Sequence, residues 1–368
     1  MSGGAAGSGL ETLLLAGTRK GLFRALSSGG GAAWTVRPPT LDGYEIFHLA
    51  TDGLDTVYAA VNHPVWGSRV FRSRDRGASW APAPGRLAFP AEAERRVEAI
   101  WHLASGGPER PEYLYAGVQP AALFLSRDAG ASWEWLPALE EHPSHRQWQP
   151  AKGGLFVHSI QLDPREHRRL YVAVSAGGCY RSEDGGESWR TINRGVRAGY
   201  LADPRAESGH NPHSLRLHPA APDRLYRQDH HGVYRSDDRG ERWTEITHGL
   251  PGEFGYVVGL DPLNPDRCWV VPEESSHLRC TCGGRLRVYE TRDAGETWVA
   301  RTEGLPQQHA YVSVLREGLC TGGGSPCGVH FGTSTGHLFS SPDGTGWTMI
   351  AGFLPAVLSL LALPEAAP

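Results

Sequence analysis

Lysine is almost missing from this chain. Lys20 and Lys152 are the only two, so arginine makes up all but two of the 36 basic residues. That imbalance reads as the codon usage of a GC-rich bacterial genome. The chain also lacks a surplus of positive charge. Its formal net charge of −4 argues against nucleic acid as a partner, since nucleic-acid binding favours a basic surface. Long hydrophobic runs are missing too. No stretch approaches the ~20 apolar residues that cross a bilayer as a helix, so no membrane partner is expected. Leu13-Leu14-Leu15 is too short for a signal-peptide core, and no basic segment precedes it. The expected location is therefore the cytoplasm. Cysteine lacks metal-site spacing. Cys280-x-Cys282 and the Cys320/Cys327 pair do not form the paired Cys-x₂₋₄-Cys of a zinc site, and the two sets fall in loops expected on opposite faces. Six unpaired thiols follow, consistent with a reducing compartment.

Glycine, proline and a repeated box are abundant. With Gly 47, Pro 27 and only 21% charged residues, the composition favours many turns over long helices. Nearly the same eight letters, Ser/Thr-x-Asp-x-Gly-x-Ser/Thr-Trp, occur at residues 73–80, 126–133, 182–189, 236–243 and 291–298, with a shorter copy at 341–347. The box aspartates are Asp75, Asp128, Asp184, Asp238, Asp293 and Asp343, spaced by 53, 56, 54, 55 and 50 residues. Self-similarity at such a period marks a repeat architecture.

One period reads as four strands. Around Asp184 these are an alternating run from Val157 to Leu162, then Leu170-Tyr171-Val172-Ala173-Val174, then Cys179-Tyr180-Arg181-Ser182, then a start at Trp189. Four short strands per ~50 residues match one blade of a β-propeller. In the box itself, the Asp accepts backbone N–H bonds within a turn, the Gly takes positive φ, and the Trp buries its ring between blades. All six aspartates are therefore assigned structural roles.

The boxes close blades two to seven, which begin near Tyr44, Val97, Phe156, His213, Tyr256 and Ala310. Blade one spans residues 12–36, with Trp34 at the box-Trp position, but it lacks an inner strand. The orphan run Val357-Leu358-Ser359-Leu360-Leu361-Ala362-Leu363 supplies that strand and closes the ring, leaving no free sheet edge. The expected fold is all-β: one seven-bladed β-propeller over residues 11–363, with a disordered tail over 1–10 and a short tail over 364–368.

The boxes resemble those of the Asp-box, or BNR, repeat β-propeller family. It includes sialidases, xyloglucan-degrading hydrolases, the sortilin ectodomain and photosystem assembly factors. Residues 17–23 (Gly-Thr-Arg-Lys-Gly-Leu-Phe) and 331–336 (Phe-Gly-Thr-Ser-Thr-Gly) are similar to bacterial single-propeller proteins labelled glycosyl hydrolase or exo-alpha-sialidase. The sialidase resemblance implies an arginine triad whose first member lies in Arg-Ile-Pro. Here Arg37-Pro38-Pro39 lacks the Ile and follows blade one, and seven blades are counted where those sialidases have six. The xyloglucan hydrolases place their carboxylates between two propellers, and one is expected here. Neither active site transfers residue by residue.

Function is expected on the face that gathers the loops before the inner strands and those between second and third strands. Ligand-binding candidates there are Arg19, Lys20, Trp66, Gln119, Trp148, Tyr200, His230 and His231. Loops 137–155 and 193–212 are long, and long loops on a rigid scaffold concentrate binding residues. His158 and His213 occupy matched positions, and His309 opens blade seven in a similar way. With Glu98 or Glu273 they have the donor types of a divalent-metal site, or of acid/base chemistry near neutral pH. No other cofactor is expected. Three readings follow. The leading one is a module that binds a small molecule, a glycan or a protein partner on this face. The second is a glycoside hydrolase with Glu98 and Glu273, or Glu274 in its place, as its carboxylates, since that chemistry needs a carboxyl pair ~5–10 Å apart. The third is a metal-dependent hydrolase or lyase built on His158, His213, His230 and His309.

Overall fold

A computed structural model describes residues 12–28, 33–150 and 153–364. The expected tail over residues 1–10, and all but the first residue of the tail at 364–368, lie outside the described residues. The described residues form seven antiparallel four-stranded sheets arranged as the blades of a propeller. Among the described residues, helix is confined to one α-helical turn, Ala138–Glu141, and three short 3-10 turns at Ala91–Ala93, Pro143–Gln147 and Cys282–Gly284. No helix among the described residues is long and apolar enough to cross a membrane.

The ring closes as the pattern requires. Blade one is built from Val357–Pro364, Thr12–Thr18, Gly21–Ser28 and Ala33–Val36, in that order from the axis outward. The C-terminal strand pairs with the N-terminal one through Leu13↔Leu363, Leu15↔Leu361 and Gly17↔Ser359. Ser359 Oγ also donates to the Ile46 carbonyl of blade two, at 3.1 Å. The core lies between blades. Tyr115, Leu123 and Leu125 of blade three pack on Val157, Ile160 and Leu170 of blade four.

The boxes act as hairpin turns. In the first five, the Asp carboxylate accepts the backbone N–H four residues on, at 2.8–3.0 Å. It also accepts the hydroxyl two residues before, as from Ser126 to Asp128 at 2.7 Å. Hydrogen bonds from Ser79 and Ser73 outweigh the burial that would raise Asp75, and hold it down to about 2. The box glycines adopt positive φ, for example +97° at Gly295, where an added Cβ would lie 2.6 Å from Ile246 of the preceding blade. In two boxes the Trp ring also bonds the preceding blade: Trp243 Nε1 donates to the Ile192 carbonyl at 2.7 Å, and Trp298 Nε1 to the Ile246 carbonyl at 2.8 Å.

Inner strands start within a few residues of expectation in blades two to six: Glu45–Thr51, Ala99–Ser105, Val157–Leu162, Pro212–Leu217 and Phe254–Leu260. Blade seven departs. Its inner strand is only Leu319–Thr321, and residues 310–318 run irregularly instead of forming the strand expected from Ala310. A tight turn brings the Gly318 N–H to the Leu315 carbonyl at 2.6 Å, and Glu317 bridges in parallel to Ser359 of blade one. This detour carries Arg316 and Glu317 to the axis.

Candidate functional site

The inner strands of blades two to six share one irregularity near their start. The register shifts between Ile46 and His48, Ile100 and His102, Val157 and Ser159, Pro212 and Ser214, and Gly255 and Val258. A bulge leaves its extra residue out of the ladder and re-aims it. The residues so released are Phe47, Trp101, His158, His213 and Tyr256 with Val257. Phe47, Trp101, His158 and Tyr256 line one cavity of about 310 Å³ at the mouth of the central channel. Arg19, Glu45, Arg279, Arg316 and Glu317 complete its polar lining. His213 sits one layer away, its ring 4.8 Å from Tyr256.

The aromatic wall is braced. Trp101 stacks on Phe156 with ring centres 3.7 Å apart and planes within 4°, and Phe47 lies 4.8 Å from Trp101. Trp101 Nε1 donates to Gln119 Oε1 at 3.1 Å, and Gln119 Nε2 donates to Glu98 Oε2 at 2.9 Å. Glu98 and Gln119 therefore orient the indole from behind. The Arg316 guanidinium lies among the rings, 5.3 Å from Phe156, 5.3 Å from Tyr256 and 5.8 Å from Trp101, within cation–π range. Its burial lowers its proton affinity.

Below the cavity, four side chains cross the channel. Arg216 donates to Glu317 at 2.7 Å. His48 Nε2 lies 3.5 Å from the same carboxylate and His102 Nε2 lies 3.9 Å from it. The two imidazoles stack at 3.8 Å, as matched positions on neighbouring inner strands should. Against its burial, Arg216 and then His48 hold Glu317 well below the usual carboxylate range, so it is ionised. Burial, reinforced by His48, holds His102 neutral. Burial, reinforced by Arg316, does the same for His158 and His213. Glu317 and Arg216 also line a cavity on the far side of this layer.

The expected metal set of His158, His213 and His309 does not assemble. Among the described residues, the one group of three or more His, Cys, Asp or Glu whose ligand atoms all lie within 4.8 Å of one another is His48, His102 and Glu317. His213 Nδ1 donates to the Gly255 carbonyl at 2.6 Å, and His309 is exposed. The group that does assemble is a poor cage. His48 Nδ1 accepts the Leu103 N–H at 3.2 Å, so in the neutral ring the proton resides on Nε2, the atom facing Glu317. A metal-bound imidazole needs that lone pair free and ordinarily donates from its other nitrogen. With Arg216 also on the carboxylate, the residues do not fit a metal ion, and no metal chemistry is assigned to them.

The other expected residues scatter. Arg19 reaches the cavity, and Lys20 beside it is exposed without lining it. Trp66 is 65% exposed and stacks on His63 at 4.2 Å, away from the cavity lining. Trp148 is buried against Tyr180, donating to its hydroxyl at 2.7 Å. Tyr200 rests on His231 and His230, and His231 bonds Glu253 at 2.7 Å. Glu273 is fully buried, and neither carboxyl oxygen has a hydrogen-bond partner. Ser313 Oγ, the nearby hydroxyl, donates to the Arg279 carbonyl instead. Burial raises Glu273 to about 7. Neither Glu98 nor Glu273 lines the central cavity, whose carboxylates are Glu45 and Glu317. All six cysteines are free thiols.

Residues missed by sequence reasoning are Glu45, Phe47, Trp101, Tyr256, Arg279, Arg316 and Glu317. A signal exists for some of them. Ile46-Phe47-His48-Leu49 and Ile100-Trp101-His102-Leu103 align with Val157-His158-Ser159-Ile160 and Pro212-His213-Ser214-Leu215. Nothing in that alignment points to Arg316 or Glu317, which reach the axis through the irregular segment.

No family model matches the chain. Among curated proteins it is similar to the oligoxyloglucan-reducing end-specific xyloglucanase of Emericella nidulans, 24% identical over 263 residues, covering 63% of this chain and 30% of that protein. It is also similar to the xyloglucanase Xgh74A of Acetivibrio thermocellus, 25% identical over 318 residues, covering 76% and 37%. The chain thus spans about a third of the length of these relatives. Among solved structures, the Niastella koreensis GH74 enzyme superposes with a TM-score of 0.63 at 19% identity, over 93% of this chain and 52% of that one. The GH74 xyloglucanase from Xanthomonas campestris gives 0.62 at 17%, over 93% and 53%. YCF48 bound to D1 peptide gives 0.53 at 14%, over 88% and 93%. These neighbours are β-propellers, and the curated relatives are xyloglucanases, but at these identities the structural likeness establishes the fold alone.

Proposed function

We propose that this propeller is a glycoside hydrolase whose saccharide enters the central cavity. One observation carries the reading: two carboxylates, Glu45 and Glu317, share a cavity of about 310 Å³ with an aromatic wall. Sugar rings present flat apolar faces that suit Trp101 and Phe47, and glycosidic hydrolysis runs on a carboxyl pair. Glu317, kept ionised by Arg216 and His48, has the character of the carboxylate that stabilises positive charge or activates water. Glu45, at the open end of its strand, takes the role of proton donor to the leaving oxygen. The similarity to xyloglucanases favours this reading over a binding platform or a metal-dependent enzyme.

The test is turnover of xyloglucan oligosaccharides and of aryl glycosides by the purified chain and by E45Q and E317Q. Each variant is expected to lose at least 10²-fold in kcat while retaining binding, in line with removal of a general acid or base. Wild-type activity that survives both substitutions would remove Glu45 and Glu317 from the mechanism.

A further inference from the structure

The wall of the central cavity holds a neutral polar group that nothing in the protein satisfies. His158 sits at the bulge of blade four and lines the cavity. It is 1% exposed, and its Nε2 has no hydrogen-bond partner. The residues at the matched bulges differ. Phe47 has no polar side-chain atom to place. Trp101 Nε1 donates to Gln119 at 3.1 Å, and His213 Nδ1 donates to the Gly255 carbonyl at 2.6 Å. Other uncharged side chains also carry an unpartnered buried atom, such as the box indoles of Trp133, Trp189 and Trp347. Among the described residues, His158 is the one of these that lines the central cavity.

The ring is held from both neighbouring strands. Its Nδ1 lies 3.1 Å from Ser159 Oγ, which accepts the Leu215 N–H of blade five at 3.4 Å. Phe156 meets it edge-on, with ring centres 5.7 Å apart. That leaves Nε2 to meet a ligand. Burial, reinforced by Arg316, keeps the ring neutral. A neutral imidazole nitrogen either donates or accepts, according to the tautomer. A hydroxyl does both, so it complements Nε2 in either state and adds no charge to the wall. An unpaired buried nitrogen is costly, and the cost falls when such a group arrives.

We infer that His158 is a specificity residue of the cavity, its Nε2 forming a hydrogen bond with one ring hydroxyl of the saccharide. The inference rests on the cavity being a saccharide site, as proposed above, and names what selects the sugar there. Trp101 and Phe47 meet its apolar face, and His158 reads a hydroxyl at its edge. A site built to bond a hydroxyl rejects the analogue that lacks it, because the nitrogen is then left unpaired beneath the sugar.

The probes are 4-nitrophenyl β-glucoside and its four analogues lacking a single hydroxyl, at C2, C3, C4 or C6. Each missing hydroxyl carries a penalty in kcat/KM. In H158F one of the four penalties is expected to shrink at least ten-fold while the other three persist. Phenylalanine is the side chain that blade two already carries at the matched position, and circular dichroism checks that the variant folds. H158Q, whose amide donates and accepts, is expected to recover part of that one penalty. A folded H158F that keeps all four penalties, or loses all four alike, would overturn the inference. So would a chain that neither binds nor cleaves the parent glucoside. The same coupling seen in calorimetric binding, without turnover, leaves His158 as the hydroxyl reader and removes the hydrolase reading. Turnover that is lost in E45Q and E317Q, with all four penalties unchanged in H158F, does the reverse.

Discussion

Glu273 is the residue whose environment departs furthest from its chemistry. It is a carboxyl in the second strand of blade six, fully buried, with both oxygens unpartnered. Burial raises its pKa from 4.5 to about 7. The folded protein therefore holds a proton that the unfolded chain releases. Between pH 4.5 and about 7 the folded state binds more protons, so stability falls as pH rises through that window. The full penalty, about 3 kcal/mol by the usual conversion, is present above the folded value. The neutral amide of E273Q should stabilise the protein at pH 8 and leave it nearly unchanged at pH 4.5. Urea unfolding of both proteins at both pH values measures this, and equal midpoints at pH 8 would contradict it. At this scale the sequence is a poor guide. Glu98 and Glu273 are both expected on the loop-rich face, yet one is exposed behind Trp101 and the other is sealed in the blade. Which of two glutamates meets water depends on neighbours that lie far away in the chain.

The element that repeats most faithfully, the box hairpin, has no part in the proposed chemistry. Its Asp is consumed by the turn. Asp128 accepts Ser126 Oγ at 2.7 Å, the Ser132 N–H at 2.8 Å and Ser132 Oγ at 2.5 Å. Asp128→Ala should cost about 1 kcal/mol of stability, the net worth of a few partly solvated hydrogen bonds, and leave kcat unchanged. A thermal melt and a turnover assay on the same preparation separate the two effects. A large loss of kcat without a loss of stability would return the boxes to catalysis. The box roles are legible because each depends on residues within a few positions: hydroxyl, carboxylate, positive-φ glycine, ring. The bulge in the inner strands is a second repeated element, and it was only half legible. His158 and His213 stood out because both are histidine. Phe47 and Trp101 hold the same positions and were hidden by their ordinary apolar character. Bulges leave little trace in composition, since they are set by how a strand meets its partner.

At the scale of the whole molecule, the ring depends on one long-range pairing. Val357–Pro364 is the inner strand of blade one, and it satisfies the edge that Thr12–Thr18 would otherwise expose. A chain ending at residue 355 should lose that pairing, present an open inner edge and self-associate. Size-exclusion chromatography and amide hydrogen exchange of Leu13, Leu15 and Gly17 read the outcome. A monomeric truncated chain with protected amides in that strand would show that closure is not needed.

What the sequence determined by itself is the architecture: seven blades, their order, the structural duty of the boxes and the closing strand. These follow from local patterns repeated at a steady period, and from the need to leave no sheet edge unpaired. Tertiary structure alone decided the site. The cavity draws Arg19 from blade one, Glu45 from blade two, Trp101 from blade three, His158 from blade four, Arg279 from blade six and Arg316 from the irregular approach to blade seven. Their proximity comes from convergence on the axis, and the two groups that define the cavity's charge, Arg316 and Glu317, arrive there where the strand pattern fails. A periodic sequence specifies its repeats. It does not specify what the repeats enclose, because the enclosed surface is made by one or two residues from most of the repeats and by the place where one repeat departs from the rest.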